Sequence, residues 1–160
     1  MNQLTSTLRA GRTRRAFTLV EIMIVVVIIG LLAALAIPAA ARVRQAAQNS
    51  RYISDVRTFA QGFETFATQN GTWPPNAGTG IVPVGMSGFM KDNAWTQVNS
   101  VGGRWNWDFN NFGVTASIST TGVKASDEQM TAIDEKIDDG DLSTGRFQKN
   151  GTRFLFILEP

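Results

Sequence analysis

Two places in this 160-residue chain set carboxylates where they call for a partner. The first is Glu21, the lone acid at the start of an apolar run from Ile22 to Ile37 that holds eleven Leu, Ile or Val residues. Each of those favours insertion into a bilayer by roughly 0.3 to 0.6 kcal/mol, against a cost of about 3 kcal/mol for a carboxylate at a helix centre. The run therefore enters a membrane even with Glu21 ionised. The second place is Asp134-Glu135-Lys136-Ile137-Asp138-Asp139-Gly140-Asp141-Leu142-Ser143, with five acids in eight residues. Asp134, Asp138, Asp139 and Asp141 offer the hard oxygen ligands that Ca²⁺ takes, and Gly140 allows the sharp turn such a loop needs. The spacing differs from an EF-hand, which alternates its acids and ends on a Glu at the twelfth position. A solvated helix end followed by a turn is the plainer reading. Acids at a helix carboxy terminus oppose its dipole, which favours a counter-ion.

Other chemistries are excluded by composition. The chain has no histidine and no cysteine. Ser-His-Asp and Cys-His nucleophiles, His-based zinc sites and disulfides are all removed, and the expectation is a protein that is not an enzyme. Net charge is +2, but Arg9, Arg12, Arg14 and Arg15 place +4 in residues 1–16, and the remaining 11 basic and 13 acidic residues give −2. The basic balance thus belongs to the amino terminus and does not argue for a nucleic-acid partner. A positive flank keeps that end in the cytoplasm.

The elements that position these acids follow in order. Residues 1–16 read as a basic leader. Residues 17–41, about 37 Å as a helix, cross a bilayer core of roughly 30 Å. Gly30 and the Ala-rich 33–41 segment suit close helix packing, and Pro38 leaves the Ala34 carbonyl without its donor, so a kink is expected there. Val43, Ala46, Ala47, Ile53, Val56, Ala60, Phe63 and Ala67 recur at helical spacing, which continues the helix through 42–70 and asks for a cover. Asn70-Gly71 with Pro74 and Pro75 ends it. Residues 71–160 form a small head, in which Trp73, Phe89, Met90 and Trp95 lie back on the helix. Arg104–Phe109 and Val114–Ile118 alternate as strands around an Asn110-Asn111 turn. Ser126 caps a short helix with Gln129 completing a capping box, and Thr152–Leu158 is a last strand. The fold class is α+β: one long helix packed on a small antiparallel sheet.

Ala16-Phe17-Thr18-Leu19-Val20-Glu21 resembles the cleavage and methylation signal of type IV pilins and type II secretion pseudopilins. The resemblance is strong over residues 12–42 and loosens beyond about Asn70. It implies cleavage between Ala16 and Phe17 by a prepilin peptidase, N-methylation of Phe17, and roles in assembly for Glu21 and Pro38. Ala16 stands where the family usually has Gly. Side chains four apart share a helix face, so an amine at Phe17 could meet Glu21 of a neighbour or of its own chain. The implied product is a homo-oligomeric helical filament, built from a single-pass precursor in the bacterial inner membrane by pilus or secretion machinery and carried to the periplasm or cell surface. Some secretion pseudopilins bind calcium in a carboxy-terminal loop, which adds to the case for Ca²⁺ at the acidic stretch.

A second class of function starts from the same residues. Thr13-Arg14-Arg15-Ala16-Phe17-Thr18-Leu19 is similar to a twin-arginine signal, and Ala34-Leu35-Ala36 or Ala39-Ala40-Ala41 offers small-residue cleavage sites. That would give an exported soluble or signal-anchored protein, binding carbohydrate through its tryptophans. The apolar stripe that runs on past both candidate cuts favours the filament subunit.

Overall fold

The computed structural model describes residues 17–160. Its first element is the helix α1, Leu19–Asn70, 52 residues with Pro38 inside it. The five-residue helix α2, Asp92–Thr96, precedes the strands β1, Arg104–Asn111, and β2, Val114–Thr121. The helix α3, Asp127–Ile137, leads to the strands β3, Phe147–Asn150, and β4, Arg153–Glu159. The strands form one antiparallel sheet in the order β1-β2-β4-β3. This is the α+β architecture the residue pattern requires.

Two compact units divide between Ala41 and Arg42. In the first, every side chain from Phe17 to Ala41 is exposed except the half-buried Ala33. Helical hydrogen bonding satisfies the backbone of such a segment, and its hydrocarbon surface suits a bilayer.

In the second unit the outer part of α1 supplies one wall of the core. Tyr52, Ile53, Val56, Phe59, Ala60 and Phe63 are buried, at the three- and four-residue intervals of a single helix face. Val43, Ala46 and Ala47, which share that periodicity, are exposed, and burial begins only at Asn49. The sheet supplies the opposite wall through Trp105 and Trp107 of β1, Ile118 of β2, Phe147 of β3, and Phe154 and Phe156 of β4. Phe63 lies flat on Trp107 with ring centroids 3.9 Å apart, and Tyr52 stacks on Trp105 at 4.9 Å. Such pairs add about 0.5–1.5 kcal/mol each beyond their buried area. The Tyr52 hydroxyl reaches the Thr120 hydroxyl at 2.8 Å, so its polar end stays satisfied at full burial.

Residues 71–103 return across α1 as expected of their aromatics. Trp95 meets Phe59 and Phe63 edge-on or tilted, and Phe89 meets Phe66. Trp73 packs against the same core, contacts Trp107 and donates from Nε1 to Glu159.

Three local readings are corrected. The β1–β2 turn falls at Phe112-Gly113, not Asn110-Asn111: Asn111 still pairs with Val114, and Phe112 and Gly113 take φ of 57° and 79°. The two-residue hairpin needs left-handed backbone at both central positions, and Gly113 supplies one without strain. Gln129 completes only half a capping box. Its N–H donates to Ser126 Oγ at 3.3 Å, while its side-chain amide reaches the buried Asn49 at 2.8 Å. A buried amide on α1 needs a partner more than an exposed helix end does. Finally, α2 and β3 have no counterpart in the sequence reading. Phe-Gln-Lys-Asn has one apolar residue and too few positions to show a two-residue period.

Candidate functional site

At the start of α1, Thr18 and Glu21 satisfy each other. The Thr18 N–H and Oγ1 donate to Glu21 Oε2 at 2.8 and 3.0 Å, and the Glu21 N–H donates back to Thr18 Oγ1 at 3.2 Å. This is a capping box, and it covers donors that a helix start otherwise leaves bare. The negative end also sits where the helix dipole favours it. Thr-x-x-Glu before an apolar run is the sequence signature of such a start, and it escaped the sequence reading. Phe17 is exposed beside this box; Ala16 lies outside the described residues. Pro38 is carried within α1.

The acidic stretch is assembled by the end of α3 and the loop that follows it. Asp134 is on the inner face of α3, next to the buried Ile133, and is itself fully buried. Neither of its carboxylate oxygens has a hydrogen-bond partner. The helix stops at Asp138, whose N–H donates to the Asp134 carbonyl at 2.7 Å. The Asp138 carboxylate turns back and accepts from the backbone N–H groups of Arg146 and Phe147, the latter at 3.0 Å. Asp139 accepts from the Asp141 N–H at 3.0 Å and from Thr144 Oγ1 at 2.8 Å. One carboxylate oxygen each from Asp134, Asp138 and Asp139 lies within 4.8 Å of the other two.

Asp141 stands apart from that triad. Its Oδ1 is taken by the N–H and hydroxyl of Ser143, at 3.0 and 2.6 Å, which hold its carboxyl below the usual range. Asp134 moves the other way, pushed up to about 6. Burial is the main cause, followed by the charges of Asp139, Asp138 and Asp141; the Gly140 N–H, outside hydrogen-bond geometry, partly offsets them. Three carboxylates at this spacing are tolerable only with a proton or a cation among them. Oxygens converging from a rigid helix and a turn fit a hard cation of the size of Ca²⁺, which takes six to eight oxygens at about 2.3–2.6 Å. Asp134, Asp138 and Asp139 would be its carboxylate ligands. Thr144 orients Asp139, and the Arg146 and Phe147 N–H groups orient Asp138; no sequence pattern flags any of the three.

Residues 11–37 match the family model for the prokaryotic N-terminal methylation motif. The similarity to known proteins is confined to part of the chain. The chain is 32% identical over 66 residues to a type II secretion system core protein G of Pectobacterium carotovorum subsp. carotovorum, covering 41% of this chain and 42% of the relative. It is 34% identical over 67 residues to a protein of the same name from Escherichia coli (strain K12), covering 42% and 46%. The chain thus spans less than half the length of the curated relatives it matches. No solved structure matches it significantly.

Proposed function

We propose that this chain is a structural subunit, without catalytic activity, of a type II secretion pseudopilus or a closely related pilus-like filament. A prepilin peptidase cuts between Ala16 and Phe17, Phe17 is N-methylated, and the mature subunit leaves the inner membrane along α1. The observation that carries this is the methylation motif over residues 11–37, in register with a Thr18–Glu21 box at the head of an uncovered apolar helix. In the membrane the carboxylate pairs with the Phe17 amine of its own or a neighbouring chain, and an unpaired one is penalised, so Glu21 sets axial register. Pro38 gives α1 the local freedom that packing demands.

Amino-terminal mass spectrometry of the native protein tests the processing: the expected terminus is methylated Phe17, and a chain that keeps Met1 or starts at Ile37 or Arg42 overturns it. Glu21→Ala should still insert in the membrane but form no filaments; normal filaments from that variant refute the register role. The head additionally holds Ca²⁺ through Asp134, Asp138 and Asp139, a reading supported by the two orphaned oxygens of Asp134. Calorimetric titration with Ca²⁺ should give heat at millimolar ion or below; none would end this part.

A further inference from the structure

The head first meets α1 at Gln48 and Asn49. Ser100 Oγ donates to the Gln48 carbonyl at 2.8 Å, and the Gln129 amide reaches Asn49. Between Gln48 and the 99–102 turn opens a groove of about 300 Å³ whose lining holds no acid. Lys124 stands on its wall, with its stem packed on Gly102, where an added Cβ would come 2.9 Å from it. Asn99 lines the same groove and is buried. Its Oδ1 accepts from the N–H groups of Val101 and Gly103 at 3.3 and 2.9 Å, and its Nδ2 is left without an acceptor. A buried donor in that state asks for a partner. Arg44 is exposed and lies four residues before Gln48, on the same side of α1. Among the described residues the one ion pair is Lys149–Asp127, so neither Arg44 nor Lys124 pairs with an acid there. Two free cations and an orphaned amide donor are the complement of an oxyanion.

Position along the helix says which oxyanion. Arg44 and Gln48 follow the end of the apolar segment at Ala41 by three and seven residues, about 5 and 10 Å of helix. Headgroups add roughly 5–7 Å to each side of a bilayer's hydrocarbon core. Charge points the same way. Residues 42–61 carry Arg42, Arg44, Arg51 and Arg57 against Asp55 alone, and residues 1–16 also carry four arginines. Orientation follows an excess of basic residues on the cytoplasmic side, counted within about 15–20 residues of the membrane. Four on each flank cancel much of that signal. Arginines on the outward flank therefore work against insertion in the right sense unless the outward surface itself holds them, and lipid phosphates are the anions at that depth.

We propose that the groove at the 99–102 turn takes the headgroup of an anionic phospholipid of the outward leaflet, with Arg44 and Lys124 on the phosphate and Asn99 as the neutral donor. The inference goes beyond the filament reading and rests on its membrane step, since only an embedded 17–41 segment brings Arg44 to headgroup depth. A zwitterionic lipid carries its own cation beside the phosphate, which repels Lys124 and Arg44, so the site selects lipids with net negative charge. Held in this way, the head stays at the bilayer surface until the subunit is withdrawn.

The test uses the full-length protein in bilayers of equal parts phosphatidylglycerol and phosphatidylcholine, extracted in mild detergent, with the retained lipids counted by native mass spectrometry. Phosphatidylglycerol should be kept over phosphatidylcholine by about fivefold or more, the effect of one basic residue near an anionic surface. Arg44→Gln with Lys124→Gln should abolish the preference, and Lys91→Gln, outside the groove, should leave it. Equal retention of the two lipids by the wild type, or a preference that survives the double variant, overturns the proposal. A double variant that keeps the preference but no longer forms filaments assigns the two cations to a neighbouring subunit instead. Millimolar inorganic phosphate should not displace the lipid; displacement would make this a site for free anions. Alkaline extraction of the membranes separates the two readings. A wild type that stays in the bilayer without lipid preference sinks this inference alone, whereas one that washes out sinks the membrane reading and this inference with it.

Discussion

A Cβ on Gly145 would overlap Oδ2 of Asp138, an oxygen already engaged by the Arg146 and Phe147 backbone. Gly145 also has φ of 70°, where a side chain is strained even with room to spare. Gly145→Ala should therefore push Asp138 off its two N–H donors and open the carboxylate triad. The expected result is loss of Ca²⁺ affinity of about tenfold or more, the scale found for residues that orient metal ligands, read by calorimetry. Unchanged affinity would show that Asp138 is not a ligand.

Asp134 links the same cluster to stability. Its carboxyl is raised in the folded chain to about 6 from an ordinary 3.8. The folded state then holds its proton to higher pH than the unfolded state does. The metal-free protein is most favoured below the ordinary value, and it loses stability as pH rises from about 4 through 6. At most about 3 kcal/mol is at stake. Asp134→Asn should flatten this pH dependence in chelator, raise metal-free stability at pH 7, and abolish Ca²⁺ binding. Denaturant melts at pH 4.5 and 7 check it; a variant weaker than wild type at pH 7 without metal would contradict the assignment.

How much of this was legible beforehand differs between the two units. The apolar run, the lone Glu21 and the helix through Asn70 are continuous in sequence, so pattern alone places them. The strands around Trp105 and Ile118 alternate clearly, and they were found. The Phe112-Gly113 turn was missed because Asn-Asn is a strong turn pair locally, and register with β2 overrode it. The short strand β3 has no periodic signal and exists because β4 offers an edge. In the site, the acids were visible as composition. That Asp134 is buried without a partner while Asp141 bonds Ser143 is a tertiary fact, set by which side of α3 meets the core.

The cap on α1 predicts a local effect. Thr18→Ala removes the acceptor for the Glu21 N–H and one donor to its carboxylate. Loss of such a cap costs about 1 kcal/mol. The first turn should fray, seen as faster amide exchange over residues 19–22 in micelles, with the head unaffected. Thr18→Ser should restore protection, because the hydroxyl is the operative group; exchange equal to wild type in Thr18→Ala would remove the capping role.

Gly62 shows how closely the head lies on α1. It is buried within the helix, and a Cβ there would come 2.7 Å from the Phe89 carbonyl oxygen, a backbone atom that cannot swing aside. Elsewhere in a helix, Gly→Ala is worth up to about 1 kcal/mol of stabilisation through helix propensity. Here steric displacement of residues 89–90 opposes it, and overpacking of this kind typically costs about 1–3 kcal/mol. Phe89 packs edge-on against Phe66, and Met90 belongs to the core, so that strain spreads into both contacts. Gly62→Ala should lower the denaturant midpoint of the head, whereas Gly30→Ala, where nothing stands within 4 Å, should not. A stabilised Gly62→Ala head would mean that the segment around Phe89 yields at little cost and that close apposition to α1 is not what selects glycine at this position.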